Sequence, residues 1–301
     1  MERAVLERSL EHLAGADQVI LPDDLVEALR SHAIGERGRR GWNVGRGRVE
    51  QIHAAIILGR RDATDRRRRA IYPIQEARME LYEVMRTTFS ARQFTSDPVP
   101  DAVLFKILDH ARFAPSGGNR QGWRVIVVRD PATKAELSAL NIPAARRYAA
   151  QIAAGESPWN SIDATAVSAA TIEQTPVPER LTAPVREAPV VLVICVDLRV
   201  VASIDQDLDR VGVISGASIY PFAWNILMAA RQEGFGGTIT TLAVAQEPKL
   251  QALLGLPSHV AVAALMPLGR PAQRLTRLKR KTVPEFATLE RWGGTPLMEG
   301  R

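Results

Sequence analysis

Two stretches, Val190–Val196 (VVLVICV) and Val260–Leu268 (VAVAALMPL), constrain this chain most, because apolar side chains fill them without a break. A strand with one face in water alternates apolar and polar residues; these do not, so both read as strands buried on both faces. Trp123–Val128 (WRVIVV) is a third, shorter β-rich run, and 237–242 is strand-like. Helical patterns fall between them. Leu81–Thr88 predicts one helix. Asp101–Phe113 predicts another, started by Pro100 and Asp101, with Val103, Leu104, Ile107, Leu108 and Ala111 as its stripe. Residues 131–188 read as helical or irregular, broken by five prolines. Residues 212–231 read as a long apolar helix interrupted near Pro221, with too few polar positions for a solvent-facing helix, and 248–254 as a short one. Strands separated by helices indicate an α/β or α+β sheet protein.

The 301 residues fit one large domain or two small ones. Residues 1–78 differ in character from the rest. They hold 15 Arg, no Lys and 12 Asp plus Glu, a net of +3, while 79–301 carry the other +3 on about three times the length. Within them, 1–34 read as two short helices, 35–48 (GERGRRGWNVGRGR) as loop or disorder, 52–58 as an apolar run, and Arg66–Arg69 as a basic block. Three readings stand for this extension: a basic arm for nucleic acid or anionic lipid, a helical extension on a dimer, or sequence upstream of a working start at Met79 or Met85. The expectation is the last, or a disordered extension. The body is near neutral, which does not suggest a nucleic-acid surface.

Other classes fall away. No run of 18 apolar residues is present, and Met1–Leu10 lacks a signal-peptide core. Cys195 is the one cysteine, which suits a reducing cytoplasm and leaves no disulfide framework or paired-cysteine zinc site; in an apolar strand it reads as a buried filler. The five histidines have no metal-ligand spacing, and there is no G-x-G-x-x-G after a strand, P-loop, H-E-x-x-H or G-x-S-x-G. No metal site and no catalytic dyad is expected.

Three constellations remain. RTTFSARQF (86–94) ends a helix. APSGGNRQGW (114–123) joins a helix to a strand. GGTITT (236–241) pairs with a distant KRK (279–281) that follows the turn Pro267-Leu-Gly269. Taken singly, each has a bland alternative: a surface ion pair for Arg92, strand-start packing for Trp123, β-propensity for Thr240 and Thr241, a solvated face for 279–281.

Together, in this order and spacing over about 79–293, they resemble the nitroreductase family of FMN-dependent oxidoreductases. That family carries R-[RH]-S-x-[RK]-x-F, P-S-x-x-N-x-Q-P-W, a threonine- or glycine-containing strand end, and a basic pair after a P-x-G turn. The resemblance implies an α+β fold, a mixed and mainly antiparallel sheet flanked by helices, in an intertwined homodimer with two FMN sites built from both chains. It implies that Ser90, Arg92, Arg280 and Lys281, with Arg86 as a substitute, hold the FMN phosphate, a dianion suited to cationic and hydroxyl donors. Pro115, Ser116, Gly117, Asn119 and Gln121 would lie around the isoalloxazine, and Thr240 and Thr241 near its N5 edge. NAD(P)H would be the reducing co-substrate and a nitroaromatic, quinone or similar electron-poor compound the acceptor, in alternating half-reactions. A specialised flavin dehalogenase or dehydrogenase, and a nucleic-acid-binding regulator using the basic N-terminus, are the alternatives. Two positions depart from the pattern: Thr88 and Phe89 replace a basic pair, and Gly122 replaces the proline of Q-P-W. The segment 141–185, with Tyr148 and Trp159, is where a substrate lid is expected.

Overall fold

A computed structural model of the chain describes residues 79–275 and 277–300. The expectations for residues 1–78 lie outside the described residues. The body is built on four strands: β1 (Trp123–Val128), β2 (Val190–Asp197), β3 (Gly236–Gly237) and β4 (Val260–Gly269). Their order is β1-β2-β4-β3, and all three ladders are antiparallel. One isolated parallel bridge, Ser90 to Gly237, extends the sheet beyond β3. This is the α+β sheet expected from the sequence.

Side chains of β2 alternate between two apolar layers. Val190, Leu192, Ile194 and Val196 enter one layer with α2 (Asp101–Ala111) and α7 (Tyr220–Gln232). Val191, Val193 and Cys195 enter the other with α3 (Pro131–Leu140), α6 (Ala183–Glu187) and α8 (Glu247–Leu254). Every residue of β2 is buried, which is why its sequence shows no period. Leu192 and Ile194 are wholly inaccessible, and each such burial contributes about 1.5–3 kcal/mol. The remaining helices are α1 (Leu81–Thr87), α4 (Ile142–Ala153) and α5 (Ala169–Gln174).

β4 contains a bulge. Ile194 faces Ala264 while Cys195 faces Val262, so Ala263 is an extra residue. The disturbed backbone is satisfied by side chains: Val262 N–H donates to Glu247 Oε1 (2.6 Å), and Tyr220 Oη donates to the Ala263 carbonyl (3.3 Å).

Two sequence expectations change here. The 212–231 helix starts only at Tyr220, after a 3-10 turn over Ile214–Ser218. Pro221 lies in its first turn, where its missing N–H costs nothing, so it opens the helix and makes no kink. The residues before it are tied elsewhere, since Val213 N–H donates to the buried Asp205 carboxylate (2.8 Å). The 237–242 strand is likewise short. Gly237 pairs with Leu268, but the next partner is Pro267, which has no N–H to continue the ladder. The chain touches β4 once more at Thr240–Leu265 and then turns into a 3-10 helix, Leu242–Gln246.

Candidate functional site

The segment after α1 is laid along the β3 margin. Ala91 N–H donates to the Gly237 carbonyl (2.9 Å), Thr95 N–H to Arg270 O (2.9 Å) and Ala272 N–H to Gln93 O (3.0 Å). Close approach depends on small residues. A Cβ on Gly236 would meet Pro271 Cγ at 3.0 Å and Ala91 Cβ at 3.4 Å, and one on Gly269 would meet Phe94 Cδ1 at 3.0 Å. Ser90 and Arg92 thereby line an open cleft of about 460 Å³, shared with Arg180, Gln273, Glu179 and Glu187. That volume lies within the usual range for small-molecule sites, roughly 300–1,000 Å³. Arg92 Nη1 donates to the Ser90 carbonyl (3.3 Å), and neither Arg92 nor Arg180 meets a carboxylate among the described residues.

The second constellation is a tight loop at the β1 margin. Gly118 (φ 60°), Asn119 (φ 52°) and Gln121 (φ 49°) all take left-handed backbone, which asparagine tolerates better than most side chains and glycine best. Ser116 Oγ accepts from Gln121 N–H (3.0 Å), Asn119 Oδ1 accepts from Gln121 Nε2 (3.2 Å), and Gly117 N–H donates to Ser218 Oγ (3.1 Å). Pro115, Gly117, Asn119 and Gln121 are exposed. Gly122 stands where the family has proline because Val200 fills that space: a Cβ there would lie 2.7 Å from Val200 Cγ2. Trp123 stacks on Phe222, ring centroids 4.9 Å apart, in the packing role expected of it.

The end of β2 closes the base of this loop. Asp197 N–H donates to Gly122 O (2.9 Å), and the buried Asp197 carboxylate takes Arg199 Nε on Oδ1 (3.0 Å) and Nη2 on Oδ2 (2.7 Å). The guanidinium holds this carboxyl down at about 2. A lowered carboxyl stabilises the fold above its unfolded value, and that contribution is lost as pH falls through the folded value. Asp197→Asn is therefore expected to unfold at lower denaturant than the parent at neutral pH, with the gap closing between about pH 4 and pH 2. Parallel pH profiles in a urea titration would exclude the clamp.

The other expected positions are spread out. Arg86 is not brought to the cleft; its Nε donates to Tyr82 O (3.1 Å) on its own helix. Thr240 is half-buried and pairs with Leu265 through its backbone, and Thr241 is exposed before the 3-10 turn. Arg280 and Lys281 are exposed, and Arg280 Nη1 donates to Lys279 O (2.7 Å). The Ser90 set and the Asn119 set lie at opposite margins of the sheet, four strand spacings or roughly 19 Å apart across it. Cys195 is buried and its thiol is pushed up to about 11 by burial, consistent with a filler.

Two guanidinia near this margin escaped sequence reasoning. Arg180 lies inside a stretch read only as a lid. Arg231 comes from α7, donates from Nε to Thr87 Oγ1 (3.0 Å), and lines a water-sized cavity with Thr88, Phe89 and Gly237. Only the three-dimensional packing brings either one to 87–90.

The pattern of the Nitroreductase family matches residues 85–270. The chain is 31% identical to the NADH dehydrogenase of Thermus thermophilus over 213 residues, 61% of this chain and 83% of that relative. It is 30% identical to iodotyrosine deiodinase 1 of Rattus norvegicus over 220 residues, 71% of this chain and 72% of that protein. Among solved structures, its fold resembles a BluB-like flavoprotein from Clostridium difficile (TM-score 0.54, 18% identity, 71% of this chain and all of that one). It also resembles an iodotyrosine deiodinase bound to FMN and 3-iodo-L-tyrosine (TM-score 0.51, 19% identity, with the same coverage). Among the described residues, no helix is long and apolar enough to cross a membrane.

Proposed function

The chain belongs to the nitroreductase family, and from that membership we propose that residues 79–301 form an FMN-binding oxidoreductase that works as a homodimer in the cytoplasm. The observation that supports it best is the split donor set. Ser90 and Arg92 offer hydroxyl and guanidinium groups to an anion at one sheet margin, while Asn119 and Gln121 offer amides at the other. In one chain these sets face different places. A twofold mate brings the loop of one copy to the cleft of the other, which is the symmetric solution for a self-complementary interface.

The residues suit the cofactor by their chemistry. The cleft supplies charge-assisted donors for a phosphate dianion, and Arg280 and Lys281 in the tail are exposed and carry no ion pair among the described residues. The left-handed turn at 118–121 turns its polar groups outward, where they can match the donor and acceptor edge of a flat heterocycle. FMN held there would supply the two-electron chemistry between NAD(P)H and an electron-poor acceptor such as a nitroaromatic or a quinone. The protein's part is to grip, orient and exclude. We assign no side chain as acid or base, and on this reading Thr240 and Thr241 would tune the edge of the redox-active ring.

The similarity to rat iodotyrosine deiodinase supports a second reading, reductive removal of halogen from an aromatic substrate. One experiment separates them. The purified full-length protein is expected to be yellow, to bleach under anaerobic NADH or NADPH, and to recover colour with an acceptor from a panel of nitroaromatics, quinones and 3-iodotyrosine. Iodide release outpacing nitro reduction would favour the second reading. Failure to retain or bind any flavin would overturn both.

A further inference from the structure

We propose that Arg180 is a further phosphate-binding residue of this site, replacing the basic pair that the family motif carries at positions 88 and 89. The inference rests on the FMN reading above. Neither substitute at those positions can serve an anion. Thr88 is buried and its Oγ1 donates back to Val84 O (2.7 Å), closing the end of α1, while the Phe89 side chain has no donor. The stretch therefore offers the Ser90 hydroxyl, the neutral Gln93 amide and a single cation, Arg92, to the cleft, which is thin for a dianion.

Arg180 lines the same cleft as these two, from the 3-10 turn Glu179–Leu181. The turn has a fixed base. Thr182 N–H donates to Glu179 O (3.0 Å), and the Thr182 carbonyl accepts from the buried Ser138 Oγ (2.9 Å). The side chain is exposed and makes no ion pair or hydrogen bond among the described residues, so its donors are uncommitted.

Two carboxylates in the lining, Glu179 and Glu187, look wrong for an anion site. Arg186 bridges both, at 3.1 and 2.8 Å, and thereby keeps them off Arg92 and Arg180. With Arg186 bridging that pair from outside the lining, three guanidinia stand against two carboxylates around the cleft. Arg186 is thus a positioning residue, and Arg180 the one that meets the ligand.

The test uses full-length protein stripped of flavin and titrated by fluorescence with FMN and with riboflavin, which lacks the phosphate. Arg180→Gln is expected to raise the Kd for FMN about tenfold while leaving that for riboflavin unchanged. Arg180→Lys, which keeps the charge, is expected to recover part of the loss. An unchanged FMN Kd, or an equal loss for both flavins, overturns the role of Arg180 while FMN binding by the parent stands. A parent protein that binds neither flavin overturns the FMN reading and this inference together.

Discussion

Two variants that each hold flavin poorly, Ser90→Ala/Arg92→Ala and Ser116→Ala/Asn119→Ala, are expected to recover function when co-expressed. In a twofold dimer with shared sites, a mixed pair carries one site with both defects and one with none. Random pairing makes half the dimers mixed, so about one quarter of all sites are intact. Flavin content and NAD(P)H oxidation should both return to about that fraction of the parent's. A mixture no better than the separate variants would mean that the two margins do not meet across subunits, and the split-site reading would fail.

Gly237→Val is expected to be the most damaging single substitution at the β3 margin. A Cβ at this position would lie 2.6 Å from the Pro267 carbonyl, which is backbone and cannot swing aside. Leu227 Cδ2 and Leu268 Cδ1, at 3.3 and 3.5 Å, block the escape. Overpacking of this kind costs about 3 kcal/mol, or roughly 10 °C in melting temperature for a body of this size. The loss should reach the ligand as well, because Ala91 hangs from the Gly237 carbonyl and Ser90 is bridged to the same residue. Calorimetry and flavin retention together check this. A variant with the parent's melting temperature and flavin content would show that the margin has slack that the packing does not suggest.

How much of this was legible beforehand follows from how far each signal travels along the chain. The unbroken apolar runs of β2 and β4 announced a sheet covered on both faces, because that burial is written in consecutive residues. The helix start at Asp101 was equally local. Pro221 was visible too, but whether a proline opens a helix or bends one depends on where Val213 and Ile214 are held, and Asp205 decides that. The end of β3 depends on Pro267, thirty residues away in the partner strand. For the proposed site, the motifs singled out Ser90, Arg92, Asn119 and Gln121. The placement of Arg180 and Arg231 beside residues 87–90 could not be read, since no spacing links residue 90 to 180 or 231. Similarly, the contact between Gly122 and Val200 makes a motif departure intelligible only once both are seen together.

The extra residue in β4 has a bearing on how this chain can change. Up to Ala263 the odd-numbered residues of the strand point to one helical layer, and beyond it the even-numbered ones do. The bulge is thus a reading frame for the second half of the strand, setting which side receives Met266 and Leu268 and how Leu265 meets Thr240. Swaps among aliphatic residues leave that phase intact, whereas a one-codon deletion would invert it for every position downstream. Drift in this strand is therefore free in spelling and closed in length.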